Sequence, residues 1–244
     1  MARKLVHAID RICYPDFGDR WDDTLFRAEV CNIIREDHHL LDLGAGAGIV
    51  PQMNFRGMVK HCCGIDPDER VLENHFLDEA KVATGDSIPY PDSSFDVVIS
   101  NNVLEHLQSP QLIFNEVARV LKPSGFFLVK TPNKWHYVPV IARITPHAFH
   151  LFINRMRGRK SEDTYPTFYK ANTPVAISRF SKAAGLELIR LNIVEGRPEY
   201  LRMTGLTYVV GLIYEKLVNV TDLLSVFRVV ILASMIKRNI EKTA

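Results

Sequence analysis

The sequence predicts an α/β fold built on a doubly wound, mostly parallel sheet, with an insertion after the fifth strand. Two observations carry that expectation. Six short segments have continuously apolar or β-branched centres where a half-exposed strand would alternate, which is the pattern of strands buried on both faces. Segments with helix signals separate several of them, so strand and helix alternate along the chain.

The strand segments are "HLLDLGA" from His39, "HCCGID" from His61, "AKVATGD" from Ala80, "FDVVISN" from Phe95, "GFFLVKTP" from Gly125 and "LELIRLNIVE" from Leu186. The clearest helix is "SPQLIFNEVARVLKPSG", with Ser109 as cap, Pro110 in the first turn and Pro123–Gly125 as terminator. "TPVAISRFSKAAG" repeats that formula, with Thr173 as cap and Gly185 as stop. "WDDTLFRAEVCNIIRE" and "DPDERVLEN" supply two more helices. A helix around Leu206–Val218 then leads to a last apolar strand, "RVVILASM" from Arg228.

Bulk properties narrow the class. With 244 residues, 47% of them hydrophobic and 24% charged, the chain suits one substantial domain and excludes wholesale disorder. A net charge of +2 gives no basis for a nucleic-acid partner. The cysteines Cys13, Cys31, Cys62 and Cys63 form no CxxC pair and carry no metal-ligand spacing, so reduced thiols and no metal are expected. "MARKLVHAID" lacks the apolar core of a signal peptide, which makes a cytoplasmic protein the expectation. The most apolar tracts, in 203–236, are broken by Glu215, Lys216 and Arg228, so no transmembrane span is expected, although contact with a membrane surface is compatible with them.

The chemistry starts at "LLDLGAGAGIVPQMNF". Glycines at 44, 46 and 48 let the backbone approach a ligand at the end of the first strand. A P-loop would need a lysine and a hydroxyl after the last glycine, and "GIVPQ" has neither. A dinucleotide fingerprint needs G-x-G-x-x-G, and the spacing here is G-x-G-x-G. Asp42, at the mouth of the strand, would repel a pyrophosphate and attract a sulfonium or ammonium. The ligand implied is a nucleoside with a cationic, amino-acid-like tail, which S-adenosylmethionine matches. Asp66 ends the next strand, where a carboxylate can take both ribose hydroxyls. Asp86 of "GDSIPY" would meet the adenine amine, and Asn101 the methionine tail.

Taken in order, "LLDLGAGAG", "GIDPD", "GDSIPYPDSSFDVVISNNVLEHL" and "VLKPSGFFLVKTPN" resemble the consecutive motifs of class I S-adenosylmethionine-dependent methyltransferases. The small-molecule branch related to ubiquinone-biosynthesis O-methyltransferases is the nearest. The resemblance covers roughly residues 38–133. It implies a Rossmann-like sheet of about seven strands with the last one reversed. It makes Gly44, Ala45 and Gly46 the backbone against the cofactor, and Asp66 with Pro67 the ribose end. Asp86 with Ser87 becomes the adenine contact, Asn101 lies near the methionine portion, and His106 orients the cofactor loop. Residues 1–37 become a helical lid, with Tyr14 and Trp21 as its aromatic candidates. Residues 38–244 become the methyltransferase domain, in which 131–172 is the substrate insertion and 200–244 the C-terminal helix and final strand. One departure stands out: "IVPQMNF" carries Pro51 where the family continues a regular helix, so that helix either starts late or gives way to a loop.

Methyl transfer from a sulfonium needs positioning above all, and a base only when the acceptor must lose a proton. His136 and His147 are the candidate bases in the aromatic 131–172 region, and Arg155–Lys160 a candidate site for an anionic group. The expected activity is transfer to a small or amphipathic acceptor, at oxygen. The competing expectations are a non-catalytic S-adenosylmethionine-binding protein and an enzyme of lipid-linked acceptors docking at a membrane surface.

Overall fold

A computed structural model describes residues 2–144 and 165–239. Seven strands form one sheet: β1 (His39–Leu43), β2 (His61–Asp66), β3 (Glu79–Val82), β4 (Phe95–Asn101), β5 (Leu121–Pro132), β6 (Leu186–Val194) and β7 (Val230–Lys237). Their order is β3-β2-β1-β4-β5-β7-β6, mostly parallel with the last strand reversed. The order runs outward in both directions from the β1/β4 pair. That pair is the topological switch point, beyond whose carboxyl ends an open α/β sheet binds its ligand.

The described residues fall into two compact units. The sheet unit takes in Asp23–Thr131, Phe168–Asn192 and Ile231–Ala244. Its central strands are buried as the sequence requires: Leu40 and Leu41 of β1, Val97, Val98 and Ile99 of β4, and Phe127, Leu128 and Val129 of β5 are all fully enclosed. Covering helices are α2 (Asp22–Cys31), α3 (Pro110–Val120) and α5 (Pro174–Ala183). Phe114 of α3 packs edge-on to Phe127, with ring centroids 5.6 Å apart, and tilts against Phe180 of α5. The Thr173 side chain accepts a hydrogen bond from the Ala176 amide at 3.1 Å and caps α5 as expected. Ser109 sits at the N-cap of α3 but makes no capping bond with its side chain.

The helical unit takes in Met1–Asp22, Pro132–Thr167 and Ile193–Val230. It contains α1 (Ala2–Cys13), α4 (Tyr137–Ile144) and α6 (Gly205–Asn219). Helix α6 opens with a capping box between Thr204 and Thr207. Asp10 of α1 is its electrostatic centre: it accepts from Arg202 Nη2 at 2.6 Å and from the Tyr208 hydroxyl at 2.6 Å. The Arg202 bond, with help from Tyr208 and Arg197, holds the Asp10 carboxyl at about 2. Tyr14 and Trp21, the aromatic candidates of residues 1–37, have partners in this unit. Tyr14 donates to Glu215 at 3.2 Å, and Trp21 tilts against Phe17 at 5.1 Å.

Two expectations are corrected, and one left open is decided. "DPDERVLEN" forms only a 3₁₀ helix, Glu69–Glu73, in place of an α-helix. Asp68 caps it and the Asn74 amide closes the turn onto Val71, so the segment ends before an α-helix can develop. Of the two alternatives left open after β1, the structure has the loop, and it contains the 3₁₀ segment Pro51–Met53. Arg27 of α2 fixes that turn, donating to the Gln52 and Asn54 carbonyls at 2.7 Å each, over the Phe55 ring. Lastly, β3 and β6 lie at the two edges of the sheet, so neither is buried on both faces as the sequence suggests.

Candidate functional site

The glycine stretch becomes a loop whose three glycines all have left-handed backbones: φ is +82° at Gly44, +51° at Gly46 and +68° at Gly48. Two of them are also places of close approach. A Cβ on Gly44 would lie 2.2 Å from Val103 Cγ2, and one on Gly48 would lie 2.3 Å from Asn74 Oδ1. Gly46 differs, because nothing lies within 4 Å of where its Cβ would be. The loop is thus braced on both sides and open at its middle, as a cradle for a ligand must be.

Asp66 ties this loop to the end of β2. Its Oδ2 accepts from the Gly46 amide at 3.0 Å and its Oδ1 from the Asp68 amide at 2.9 Å. The Gly44 amide donates to the Ile65 carbonyl at 2.8 Å. Asp42 lies beneath, buried with 5% of its surface exposed. Burial, and then the neighbouring Asp66 charge, push its pKa up to about 7. A buried carboxyl beside a second carboxylate is a place where a cation gains most: it relieves both the desolvation and the repulsion. The residues brought together are therefore Asp42, Gly44, Ala45, Gly46 and Asp66.

The other expected residues sit at successive strand ends with their own partners. Pro67 follows Asp66 and is exposed. Asp86 and Ser87 lie in an exposed turn after β3, where Thr84 donates to Asp86 at 2.5 Å and the Ser87 amide to the Thr84 carbonyl. Asn101 ends β4 and donates to Asp23 of α2 at 3.1 Å, while its own Oδ1 is buried without a partner among the described residues. His106 ends the 3₁₀ turn Leu104–His106, its Nε2 3.9 Å from Glu105 Oε1. That segment reaches the glycine loop through Val103.

Three supporting residues escape the sequence. Buried Asn74 donates to the Ala45 and Gly46 carbonyls at 3.1 Å each and so fixes the loop from below. Lys130 of β5, 1% exposed, pairs with Asp23 at 2.5 Å. Buried Glu105 accepts from Thr131 at 3.2 Å. Asn74 had a signal, an Asn directly after an acidic strand end and its turn. The others are partners across the fold, which no local spacing announces.

In the helical unit His136 is 1% exposed, and neither ring nitrogen has a hydrogen-bond partner among the described residues. Its Nε2 faces Glu195 Oε2 at 3.6 Å, and the rings of Tyr137, Tyr200 and Tyr214 surround it. Burial pushes the imidazole down to about 3 and the Glu195 carboxyl up to about 8. At neutral pH the imidazole is therefore uncharged. His147 and Arg155–Lys160 lie outside the described residues.

A family model described as a methyltransferase domain matches residues 41–129, the stretch that holds β1, the glycine loop, Asp66 and β4. Residues 41–129 are thus similar to a methyltransferase domain. Over 132 residues the chain is 34% identical to YcgJ, an uncharacterized methyltransferase of Bacillus subtilis, covering 50% of this chain and 49% of that one. The chain thus spans about half the length of this curated relative. It is 28% identical over 198 residues to the ubiquinone biosynthesis O-methyltransferase of Thiobacillus denitrificans, covering 78% of this chain and 73% of that one. The crystal structure of YcgJ, 22% identical, superposes with a TM-score of 0.57 over 88% of this chain and 98% of that one. Geranyl diphosphate C-methyltransferase from Streptomyces coelicolor, 16% identical, gives 0.52 over 87% of this chain and 76% of that one, and its structure holds S-adenosyl-L-homocysteine. The two structures share the fold, and the seven-stranded mixed sheet is borne out.

The residues of this site fit S-adenosylmethionine: a glycine cradle open at Gly46, a carboxylate at Asp66, and at Asp42 a buried carboxyl for which a positive charge would be a gain. Asp42 also sets a pH dependence. Its folded pKa lies above the ordinary value of 3.8, so its favourable contribution is complete below about pH 4 and is lost as pH rises through about 7. Urea unfolding between pH 4 and 7 is expected to show stability falling relative to Asp42→Asn, by about 1.4 kcal/mol per pH unit at most. Parallel pH curves for the two proteins would refute this.

Proposed function

We propose that the protein transfers the methyl group of S-adenosylmethionine to a small or amphipathic acceptor by in-line displacement, at oxygen. The observation that carries this reading is the pairing of the open glycine cradle with the two carboxyls, Asp42 and Asp66, at the switch point of the sheet. The bound cofactor supplies a methyl carbon on a cationic sulfur. The chain's residues have three tasks. Asp66 accepts hydrogen bonds from the ribose hydroxyls, the glycine loop leaves room for the nucleoside, and Asp42 faces the positive end. The acceptor oxygen's lone pair forms the new bond to carbon, the carbon–sulfur pair passes to sulfur, and the acceptor's proton leaves to a base. His136 is that base in our reading. What supports it is geometry: both ring nitrogens lack a hydrogen-bond partner among the described residues, and Nε2 lies 3.6 Å from Glu195 Oε2. The amphipathic class of acceptor is supported by a row of exposed apolar side chains on α6, Leu206, Val210, Ile213 and Leu217. Among the described residues no helix is long and apolar enough to cross a membrane.

Titration calorimetry is expected to show S-adenosylmethionine binding to the wild-type chain. Asp66→Ala should weaken it by about 10- to 100-fold, the loss of charge-assisted hydrogen bonds. Heat changes indistinguishable from buffer for the wild type would reject the reading. Radiolabelled methyl transfer, assayed over hydroxylated acceptors free in buffer and in lipid vesicles, should fall by about 10²–10⁴-fold in His136→Gln with cofactor affinity unchanged. Cofactor binding without turnover of any acceptor would favour the alternative, a non-catalytic S-adenosylmethionine-binding protein.

A further inference from the structure

At the opposite end of β2 from Asp66, the structure collects residues that the methyl-transfer reading leaves unused. β2 begins with His61, and Cys63 follows two residues later on the same face of the strand. β3 pairs in parallel with β2 so that Glu79 stands beside Cys63. The register therefore brings an imidazole, a thiol and a carboxylate together from positions whose sequence spacing carries no metal motif. All three donor atoms lie within 4.8 Å of one another. His61 Nε2 is 3.5 Å from Glu79 Oε2, and Cys63 Sγ is 3.9 Å from the same oxygen.

We propose that His61, Cys63 and Glu79 bind a divalent transition-metal ion, and that the ion is zinc. A tetrahedral zinc with bonds of about 2.0–2.3 Å separates its ligand atoms by about 3.3–3.6 Å, close to the spacing already present. One nitrogen, one thiolate sulfur and one carboxylate oxygen are zinc's donor types, whereas calcium and magnesium take oxygen. The three donors leave a fourth position for water.

The surroundings suit this assignment. Lys81 holds the other carboxylate oxygen, Glu79 Oε1, at 2.9 Å and leaves Oε2 turned toward His61 and Cys63. His61 presents Nε2 to the cluster while its Nδ1 faces Asp78 at 4.0 Å, so the two ring nitrogens have distinct tasks. The buried Tyr90 hydroxyl, next to Cys63 and Glu79, makes no hydrogen bond of good geometry and is a ready donor to a metal-bound thiolate or carboxylate. His61 and Glu79 are half-exposed, which gives an ion a way in, while Cys63 is buried. Five strand steps separate His61 from Asp66, roughly 16 Å, so the ion would brace the β2/β3 edge and take no part in methyl transfer.

Cobalt(II) titration of the full reduced chain tests this directly. We expect one equivalent to give a near-ultraviolet thiolate-to-cobalt charge-transfer band that zinc abolishes. Cys63→Ser should lose the band, and His61→Gln, at a half-exposed position that folding tolerates, should weaken cobalt binding at least about tenfold. The double variant Cys13→Ser/Cys31→Ser should keep the band. Zinc at a hundredfold excess over its Kd should raise Tm by about 5–10 °C in the wild type and not in His61→Gln. No charge-transfer band, a band of full strength in both Cys63→Ser and His61→Gln, or a band lost with Cys13 and Cys31 would overturn the proposal.

Discussion

The site depends on one unfavourable interaction, the burial of Asp42 one residue from the end of β1 and close to the Asp66 charge. Each element around it has a reason to be where it is. β1 and β2 pair in parallel with Asp42 beside Gly64, which leads the chain on to Asp66 at the strand end. The glycine loop crosses above, held at Ala45 and Gly46 by Asn74 and at Gly46 by Asp66. Two carboxyls at close quarters in a low-dielectric setting cannot both ionise cheaply, so Asp42 is pushed up to about 7. A sulfonium removes that conflict, and a pyrophosphate would worsen it. Charge therefore selects the ligand class more sharply than glycine spacing does.

Around this centre the sheet unit places further buried polar groups against residues distant in sequence. Lys130 on β5 reaches Asp23 at the start of α2, and Asn101 at the end of β4 donates to the same carboxylate. Separating a buried charge from its partner costs about 3–5 kcal/mol, so this set holds the ends of β4 and β5 in one geometry. The helical unit has its own organising charge in Asp10, held by Arg202 and Tyr208. Its second buried pair, His136 and Glu195, is of another kind: burial pushes the imidazole down to about 3 and the carboxyl up to about 8, so both are uncharged at neutral pH.

Much of the sheet unit was legible in the sequence because its signals are local. The apolar runs of β1, β2 and β4 and the caps of α3 and α5 place elements within a few residues of where they fold. The positions of Asp42 and Asp66 were legible because one lies beside the glycines and the other ends the next strand. The segments after β1 and β2 were harder. "IVPQMNF" is settled by Arg27, a residue of α2 far behind it, and the helix expected after Asp66 stops as a 3₁₀ turn at Asn74. What could not be read is whatever depends on pairing across the fold: Lys130 with Asp23, Glu105 with Thr131, and the parallel register that sets Glu79 beside Cys63. Strand register and long-range ion pairs leave no periodic trace in a single sequence.

The central claim is that Asp42 recognises the positive charge of the sulfonium. S-adenosylmethionine and S-adenosylhomocysteine share the nucleoside and the amino-acid tail and differ in the methyl group and that charge. The most direct measurement is the ratio of their calorimetric affinities between pH 5.5 and 8, for the wild type and for Asp42→Asn. The account predicts that preference for the sulfonium grows with pH, by up to about tenfold per unit, and levels off above about 7, where Asp42 is ionised before the ligand arrives. It predicts a low, flat ratio for Asp42→Asn. A wild-type ratio that is independent of pH and equal to that of the variant would contradict it.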